Sequence, residues 1–160
     1  MDKVSIRSVV PADQPPLVAF YAGLSPESRR ARFLGCAEGI GATCAGVLCA
    51  ADHVHEEGFV ALVTGPAGKA IVIGHICIVR GRNGRTELAI AVADAYQGHG
   101  VGSRLFRRAI AWARQHGLTS VTATAFADNS RVIHLLASAH HGIKMTPADA
   151  GVIEVAFKVA

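Results

Sequence analysis

The chain has 160 residues, a formal net charge of +4 and a hydrophobic content of 51%. A chain of this length can bury a core without disulfides or metals, so a single domain spanning residues 1–160 is expected. Charges or glycines interrupt every apolar stretch before the roughly 20 residues that cross a bilayer, which argues against a membrane protein. The absence of a basic run and the few aromatic residues argue against a nucleic-acid partner.

The amino-terminal residues and the cysteines indicate a cytoplasmic location. A strand pattern begins at Val4, which leaves no space for a secretory signal in this sequence. The cysteines form no C-x-x-C pair and lie among apolar residues, so buried thiols in a reducing compartment are expected. They are Cys36, Cys44, Cys49 and Cys77.

The first part of the chain predicts one strand followed by helices. Alternation of apolar and polar residues predicts a strand at 4–9, and a helix is expected over about 14–22. Ser25 is a typical N-cap and Pro26 suits the first helical position, so a second helix is predicted after Leu24. A segment at 39–52 that is rich in Ala and Cys predicts a third helix with poorly marked ends.

The second part predicts a meander, a crossover and a final hairpin. Three β-rich segments at 59–64, 70–79 and 86–93 are separated by glycine turns at 65–68 and 81–84, which predicts three antiparallel strands. Apolar residues at helical spacing predict a helix at 100–116 that ends at Gly117. The strand expected at 120–126 would then pair in parallel through a right-handed crossover. A helix at 129–139 and short strands near 143–145 and 152–159 complete the order.

A glycine-rich loop joins the third strand of the meander to the amphipathic helix. Residues 97–103 read Gln-Gly-His-Gly-Val-Gly-Ser. Such glycines let the backbone approach a ligand and turn its amides toward it, and the helix start adds further N–H groups that favour an anion. The spacing is neither the G-x-G-x-x-G of dinucleotide folds nor a Walker loop. A glycine-rich turn without a ligand is the alternative.

The spacing Gln-x-x-Gly-x-Gly, with a strand before it and a helix after it, resembles the acyl-CoA signature of the GNAT N-acetyltransferase superfamily. Residues 24–35 are similar to a segment of a GNAT subgroup that includes bacterial protein-lysine acetyltransferases. The order of predicted elements also resembles the GNAT fold. The resemblance therefore implies a mixed α/β chain with a mostly antiparallel twisted sheet of about six to seven strands, one splayed parallel pair and about four to five helices.

The resemblance also implies acetyl-CoA as the co-substrate and assigns residues to it. Backbone groups of Ile90 and Val92 would contact pantetheine, and the Val92 amide would also face the oxyanion that forms when an amine attacks the thioester. Asn129 matches an asparagine that hydrogen-bonds pantetheine, although it is equally suited to cap the last helix. The pyrophosphate would be bound by the loop residues Gln97, Gly98, His99, Gly100, Val101, Gly102 and Ser103.

Glu87 matches the glutamate that acts as general base in GNAT lysine and amine acetyltransferases. A lysine amine has a pKa of about 10.4 and must lose a proton before it attacks a thioester, so a nearby carboxylate has a clear role. The alternative for Glu87 is an exposed hairpin carboxylate that balances Arg85 or Arg82. Two arginines of the helix after the loop, Arg104 and Arg107, either reach the phosphates or lie in solvent.

The general acid is left unassigned, because the last helix lacks the tyrosine that donates to the departing thiolate in the family. Tyr96, His134, Ser138, His140 and His141 lie in the region where a donor is sought, and none is selected. Histidine pairs occur at His53 and His55 and at His140 and His141. No third ligand accompanies either pair, so solvated loops are favoured over a metal site.

These observations predict an acyltransferase that moves an acetyl group directly from acetyl-CoA to a primary amine. The subgroup resemblance favours a lysine side chain of a protein as the acceptor. A small-molecule amine is the first alternative, and a catalytically weak module that binds or senses acyl-CoA is the second. Dimers are common in the superfamily, so a homodimer is one arrangement that the resemblance allows.

Overall fold

The computed structural model describes residues 2–34, 42–80, 84–139 and 142–159. The strands are β1 (Ser5–Ser8), β2 (Glu57–Thr64), β3 (Ala70–Arg80), β4 (Thr86–Val92), β5 (Ser120–Phe126), β6 (Lys144–Pro147) and β7 (Val152–Lys158). The helices are α1 (Gln14–Ala22), α2 (Pro26–Phe33), α3 (Ala42–Cys49), α4 (Val101–Gln115) and α5 (Ser130–Ala139).

The predicted elements are confirmed where the structure describes them. The helix at 14–22 and the strand at 120–126 have the predicted bounds, and the other described ends differ by a few residues. The first residues of the segment predicted as helix at 39–52 and most of the turn at 81–84 lie outside the described residues. Within the described part of the chain, no helix has the length and apolar character needed to cross a membrane.

Ser25 shows why α2 begins where the sequence predicts. Its hydroxyl accepts a hydrogen bond from the Ser28 amide at 3.1 Å, and Pro26 occupies the first turn. This satisfies one of the N–H groups that have no partner at a helix start, which is worth about 1 kcal/mol.

The seven strands of the described chain form one mixed sheet in the order β1-β2-β3-β4-β5-β7-β6. The β2-β3-β4 meander is antiparallel as predicted, and β4 and β5 form the predicted parallel pair. All other neighbouring strands are antiparallel. The sheet therefore has the expected number of strands and the single parallel pair.

The parallel pair is joined at only one position. Glu87 pairs with Thr122, and the Thr122 hydroxyl donates to the Thr86 carbonyl at 3.2 Å. Beyond this point, residues 88–92 of β4 and 123–126 of β5 line a cavity instead of forming a ladder. The two strands are therefore splayed toward their carboxyl ends.

The two faces of the sheet carry different cores. On one face, the apolar stripe of α4, including Leu105 and Ala109, packs in the larger core with Leu88 of β4. On the other face, α1 and α3 pack over β2 and β3 around Tyr21. The splay between β4 and β5 opens between these two layers, and α2 contacts both strands.

Candidate functional site

A cavity of about 880 Å³ occupies the splay between β4 and β5. Residues of α2 form one wall, and residues of α5 and of the glycine loop form others. Most of the residues predicted from the sequence line it, namely Ile90, Val92, Gln97, Gly98, Gly100, Gly102, Ser103 and Asn129. Of the other predicted residues, Glu87, His99 and Val101 are not among those that line the cavity.

Two glycines of the loop have a backbone conformation that other residues adopt at a cost. Gly98 has a φ of +76° and Gly100 a φ of +82°. A Cβ at either position would meet no atom within 4 Å, so the requirement is conformational and not steric. Gly102 differs, since it is helical and its missing Cβ would lie 3.6 Å from Leu135. The loop is thus shaped by Gly98 and Gly100.

The start of α4 presents backbone amides at the same end of the cavity. The Arg104 amide makes the first hydrogen bond of the helix, to the Gly100 carbonyl at 3.1 Å. The N-cap residue is Gly100, which has no side chain that could cap the helix. The amides of Val101, Gly102 and Ser103 therefore have no acceptor within the helix, which suits them to an anion. The Val101 side chain is buried in the core, so only its backbone is available to a ligand.

His99 shapes the loop from the outside. Its side chain is exposed, and its Nδ1 lies 2.9 Å from the carbonyl oxygen of Gln97. Because this contact lies within the loop, the His99 side chain helps to fix the loop conformation.

The backbone of β4 turns alternate amides toward the splay. The Ala93 amide donates to Ile73 of β3 at 2.8 Å, and N–H groups alternate in direction along a strand. The amides of Ile90 and Val92 consequently face away from β3, into the splay. The Val92 carbonyl already accepts a hydrogen bond from Gln97 Nε2 at 3.0 Å, so the amide is the group of Val92 that is available to a ligand.

Gln97 connects three elements around the cavity. Its Nε2 also donates to the Ser28 hydroxyl at 3.1 Å, and its Oε1 accepts from Arg131 Nη1 at 2.7 Å. The side chain thus ties the end of β4 to α2 and to the start of α5. The sequence predicted Gln97 in the loop but not these two partners, because nothing local connects residues 34 and 69 positions away.

Asp94, in the turn that follows β4, is a second connection to α2. Its carboxylate accepts from the Ser25 amide at 2.9 Å, from the Ser25 hydroxyl at 2.7 Å and from the Ser28 hydroxyl at 2.7 Å. Burial acts to raise the pKa of this carboxyl, but the hydrogen bonds from Ser28 and Ser25 outweigh it and hold the pKa below its ordinary value. The sequence analysis did not single out Asp94, since its partners are 66 and 69 residues away.

Glu87 lies at the closed end of the splay. It is exposed and occupies the one register position where β4 meets β5. Alternation along the strand places it on the same face as Ala89 and Ala91, which line the cavity below α2. Arg85, one of the two partners considered for Glu87, donates to Glu154 of β7. Arg82, the other partner considered, lies outside the described residues.

Asn129 has the capping role that the sequence allowed. Its Oδ1 accepts from the Val132 amide at 3.3 Å in the first turn of α5, and the residue also lines the cavity. Three candidate proton donors, Tyr96, His134 and Ser138, line the cavity as well. The remaining two, at positions 140 and 141, lie outside the described residues.

A buried histidine lies on the face of the sheet covered by α1. The His75 ring is fully buried, with its Nδ1 2.7 Å from the Tyr21 hydroxyl. Burial and the positive charge of Arg32 lower the pKa of His75 to about 3. His75 is therefore neutral at pH 7 and does not supply a proton as an imidazolium.

The arginines considered for the phosphates lie away from the cavity. Arg104 donates to the Val4 carbonyl at 3.0 Å, and the Arg107 side chain is exposed. Neither is among the residues that line the cavity, so the phosphate interpretation is not supported for them.

The histidines and cysteines have ordinary surroundings. His53 pairs with Glu57 and His55 with Asp52, each at 2.8 Å, and the described residues contain no group of three metal ligands. Cys49 and Cys77 are buried thiols, as predicted. Position 36 lies outside the described residues, and the side chain at position 44 is not described.

Residues 27–141 match the family described as the acetyltransferase (GNAT) family. The fold is similar to the GNAT domain of PAT from S. lividans, with 27% identity, a TM-score of 0.82 and coverage of 97% of this chain and 90% of that chain. It is also similar to a putative acetyltransferase from Salmonella typhimurium solved with its cofactor acetyl-CoA, with 18% identity, a TM-score of 0.74 and coverage of 98% and 94%. A GNAT-family acetyltransferase from Streptococcus pneumoniae has 21% identity, a TM-score of 0.76 and coverage of 99% and 100%. No curated protein sequence matches the chain.

Proposed function

Because this chain belongs to the GNAT acetyltransferase family, we propose that it transfers an acetyl group from acetyl-CoA to a primary amine, and that the amine is a lysine side chain of a protein. The observation that carries the proposal is the splay. A single register pair leaves backbone amides of β4 facing a cavity that ends at the glycine loop. This arrangement fits an extended chain with a pyrophosphate at one end.

The residues of the cavity suit acetyl-CoA in chemical type. First-turn amides of α4 and the amides of a loop shaped by Gly98 and Gly100 would bind the pyrophosphate. The Ile90 and Val92 amides would bind the pantetheine arm as the neighbouring strand of a ladder does. Acetyl-CoA supplies the reactive thioester.

The chain's own groups would assist the transfer at two atoms. The Val92 amide would donate to the carbonyl oxygen of the acetyl group as that oxygen gains negative charge. Glu87 would accept the proton that the attacking amine must lose, directly or through a water molecule. The new C–N bond forms as the C–S bond breaks, and the sulfur leaves as a thiolate with an ordinary thiol pKa of about 8.5, which water or the ammonium form of another amine can protonate.

The acceptor would approach from the α2 face. The side chains of Ile90 and Val92 pack against the larger core, so the opposite face of the sheet is closed by α4. On the α2 face, β4 presents the small side chains of Ala89 and Ala91 beside the cavity. The resemblance of residues 24–35 to a segment of bacterial protein-lysine acetyltransferases supports a protein lysine, while a cavity of this volume also accommodates a small-molecule amine.

The test is a panel of acceptors in which release of free thiol from acetyl-CoA is measured. The panel contains lysine peptides, intact proteins, single amino acids and polyamines. An N-terminally blocked, lysine-acetylated peptide is the matched control that has no free amine. The proposal expects turnover with lysine peptides or proteins. Turnover with small amines alone would support the small-molecule alternative, and binding of acetyl-CoA without turnover on any amine would support the sensing module.

A further inference from the structure

We propose that Asp94 is a positioning residue for the acceptor, because it fixes α2 over the cavity from the end of β4. This inference rests on the proposed function, since it assigns α2 to the acceptor side of the transfer. The carboxylate of Asp94 accepts three hydrogen bonds, and all three come from Ser25 and Ser28 at the start of α2.

The position of α2 matters because this helix is a wall of the cavity on the face from which the acceptor approaches. Glu27, Ser28, Ala31 and other residues of α2 line the cavity opposite β4 and β5. The helix has eight residues and no fully buried side chain, and its other contacts include Arg30 over the Phe126 ring and Phe33 against Tyr21. Helices this short gain most of their stability from tertiary contacts, so the hydrogen bonds to Asp94 are one of the attachments that set the position of α2.

Asp94 and Gln97 attach α2 to β4 through the same serine. The Ser28 hydroxyl donates to Asp94 and accepts from Gln97, and Gln97 in turn donates to the Val92 carbonyl. The wall on the acceptor side is thereby held in register with the amide that would face the acetyl oxygen. The amine nitrogen and the acetyl carbon must be aligned about 3–3.5 Å apart for efficient attack, so a loosened α2 would weaken productive acceptor binding.

The Asp94 carboxylate itself faces α2 and not the glycine loop. Its carboxylate accepts from groups at the start of α2, whereas the pyrophosphate would contact amides of residues 98–103. Loss of the carboxylate should therefore affect the acceptor and leave the donor nearly unchanged.

The experiment compares Asp94→Ala with wild type in the complete chain. We expect the acceptor KM to rise about tenfold, while the affinity for acetyl-CoA, measured by titration calorimetry, changes by less than about twofold. Asp94→Asn should recover part of the loss, because one amide oxygen still accepts from a serine hydroxyl. A fall in acetyl-CoA affinity with an unchanged acceptor KM would overturn the proposal, since Asp94 would then act on the glycine loop.

The matched control is Asp52→Ala. Asp52 also accepts hydrogen bonds from backbone amides, of Val54 and His55, but does not line the cavity. It should lower stability without changing either KM. A similar rise in acceptor KM in both variants would overturn the proposal, because general loosening would then explain the effect.

The double variant Ser25→Ala with Asp94→Ala tests whether the rise in acceptor KM comes from the contact between these two residues. Ser25→Ala removes one donor to Asp94, so its effect and that of Asp94→Ala on acceptor KM should combine to less than their product. Full multiplication of the two effects would contradict the contact as the cause.

Failure of the proposed function gives a different result. If wild type acetylates no amine, hydrogen exchange with acetyl-CoA bound decides the matter. Faster exchange in α2 of Asp94→Ala, with unchanged exchange at residues 98–103, supports the positioning role. Equal change in both segments, or none in either, overturns it.

Discussion

The proposed donor side and the proposed acceptor side of the cavity are built in different ways. The donor side comprises the end of β4, the loop at 97–103 and the first turn of α4, and it uses backbone groups that lie within a short stretch of chain. The acceptor side comprises α2 and the face of β4 that carries Glu87, and it depends on contacts such as Ser25 to Asp94 across 69 residues. A site made of backbone groups can therefore be predicted from a local glycine pattern. The acceptor side cannot be predicted in this way, because its contacts join residues that are far apart in the sequence.

The largest effect is expected at Glu87, where the acceptor side would meet the chemistry. Glu87→Gln keeps the shape but loses the proton acceptor, so kcat should fall about 100-fold while acetyl-CoA affinity stays unchanged. Steady-state kinetics and calorimetry measure the two quantities. Glu56→Gln, in the loop before β2, is the matched control and should leave both unchanged. Normal turnover in Glu87→Gln would show that this exposed carboxylate has no part in the transfer.

A smaller effect is expected on the donor side at Gly100. Gly100→Ala forces a residue with a Cβ into a φ of +82°, which costs roughly 1–2 kcal/mol, and the loop will relax away from the ligand. Acetyl-CoA affinity should fall about tenfold by calorimetry, since 1.4 kcal/mol is tenfold. Gly68→Ala is the matched control, with a φ of +74° and open space around the new Cβ outside the cavity. Equal acetyl-CoA affinities in the two variants would show that the loop does not bind acetyl-CoA.

Asn129 lies between the two sides, and substitutions there distinguish capping of α5 from ligand binding. Asn129→Ser keeps a capping oxygen but shortens the side chain, so stability should change by less than about 0.5 kcal/mol, while the acetyl-CoA KM rises about threefold. Asn129→Ala should show the same KM and lose about 1 kcal/mol of stability in addition. Urea unfolding and steady-state kinetics provide the readings. An unchanged acetyl-CoA KM in both variants would show that Asn129 only caps α5.

The smallest effect on the transfer concerns Asp13, at the start of α1, where a substitution is expected to change stability alone. Arg7 donates to both carboxylate oxygens at 2.7 and 2.8 Å, and these bonds hold the pKa of Asp13 below its ordinary value of 3.8. A lowered pKa gives stability that is complete above about pH 4 and is lost as the pH falls through the folded-state pKa. Urea unfolding of wild type should therefore be independent of this group from pH 5 to 8 and weaken below pH 4.

Asp13→Asn tests the assignment of that acid-sensitive stability. The variant should be less stable at pH 7, by about 2 kcal/mol, because a buried acceptor loses its charged partner bonds. It should also lose less stability than wild type between pH 5 and 3. An equal loss in both proteins would place the acid-sensitive group elsewhere.

The difference between the two sides also explains what the sequence could and could not predict. Periodicity predicted β4, α4 and β5, because each has a clear alternation or stripe, and the glycine spacing predicted the loop between them. Arg85 was considered as a partner for Glu87 because it is close in sequence, but it crosses β5 to Glu154. The role of Asp94 could not be found, since a single carboxylate before a turn gives no sign of a partner 69 residues away.

The splay leaves two strands of the sheet with unpaired edges. Beyond Glu87 and Thr122, β4 and β5 are two edge strands that lie inside the molecule and face each other. Edge strands invite pairing with foreign strands, and proteins usually protect them with charges, bulges or covering segments. Here α2 lies across both edges, and the space between them suits one extended chain. We therefore expect the unpaired ends of β4 and β5 to bind one extended small molecule, and α2 to limit their pairing with strands of other polypeptides.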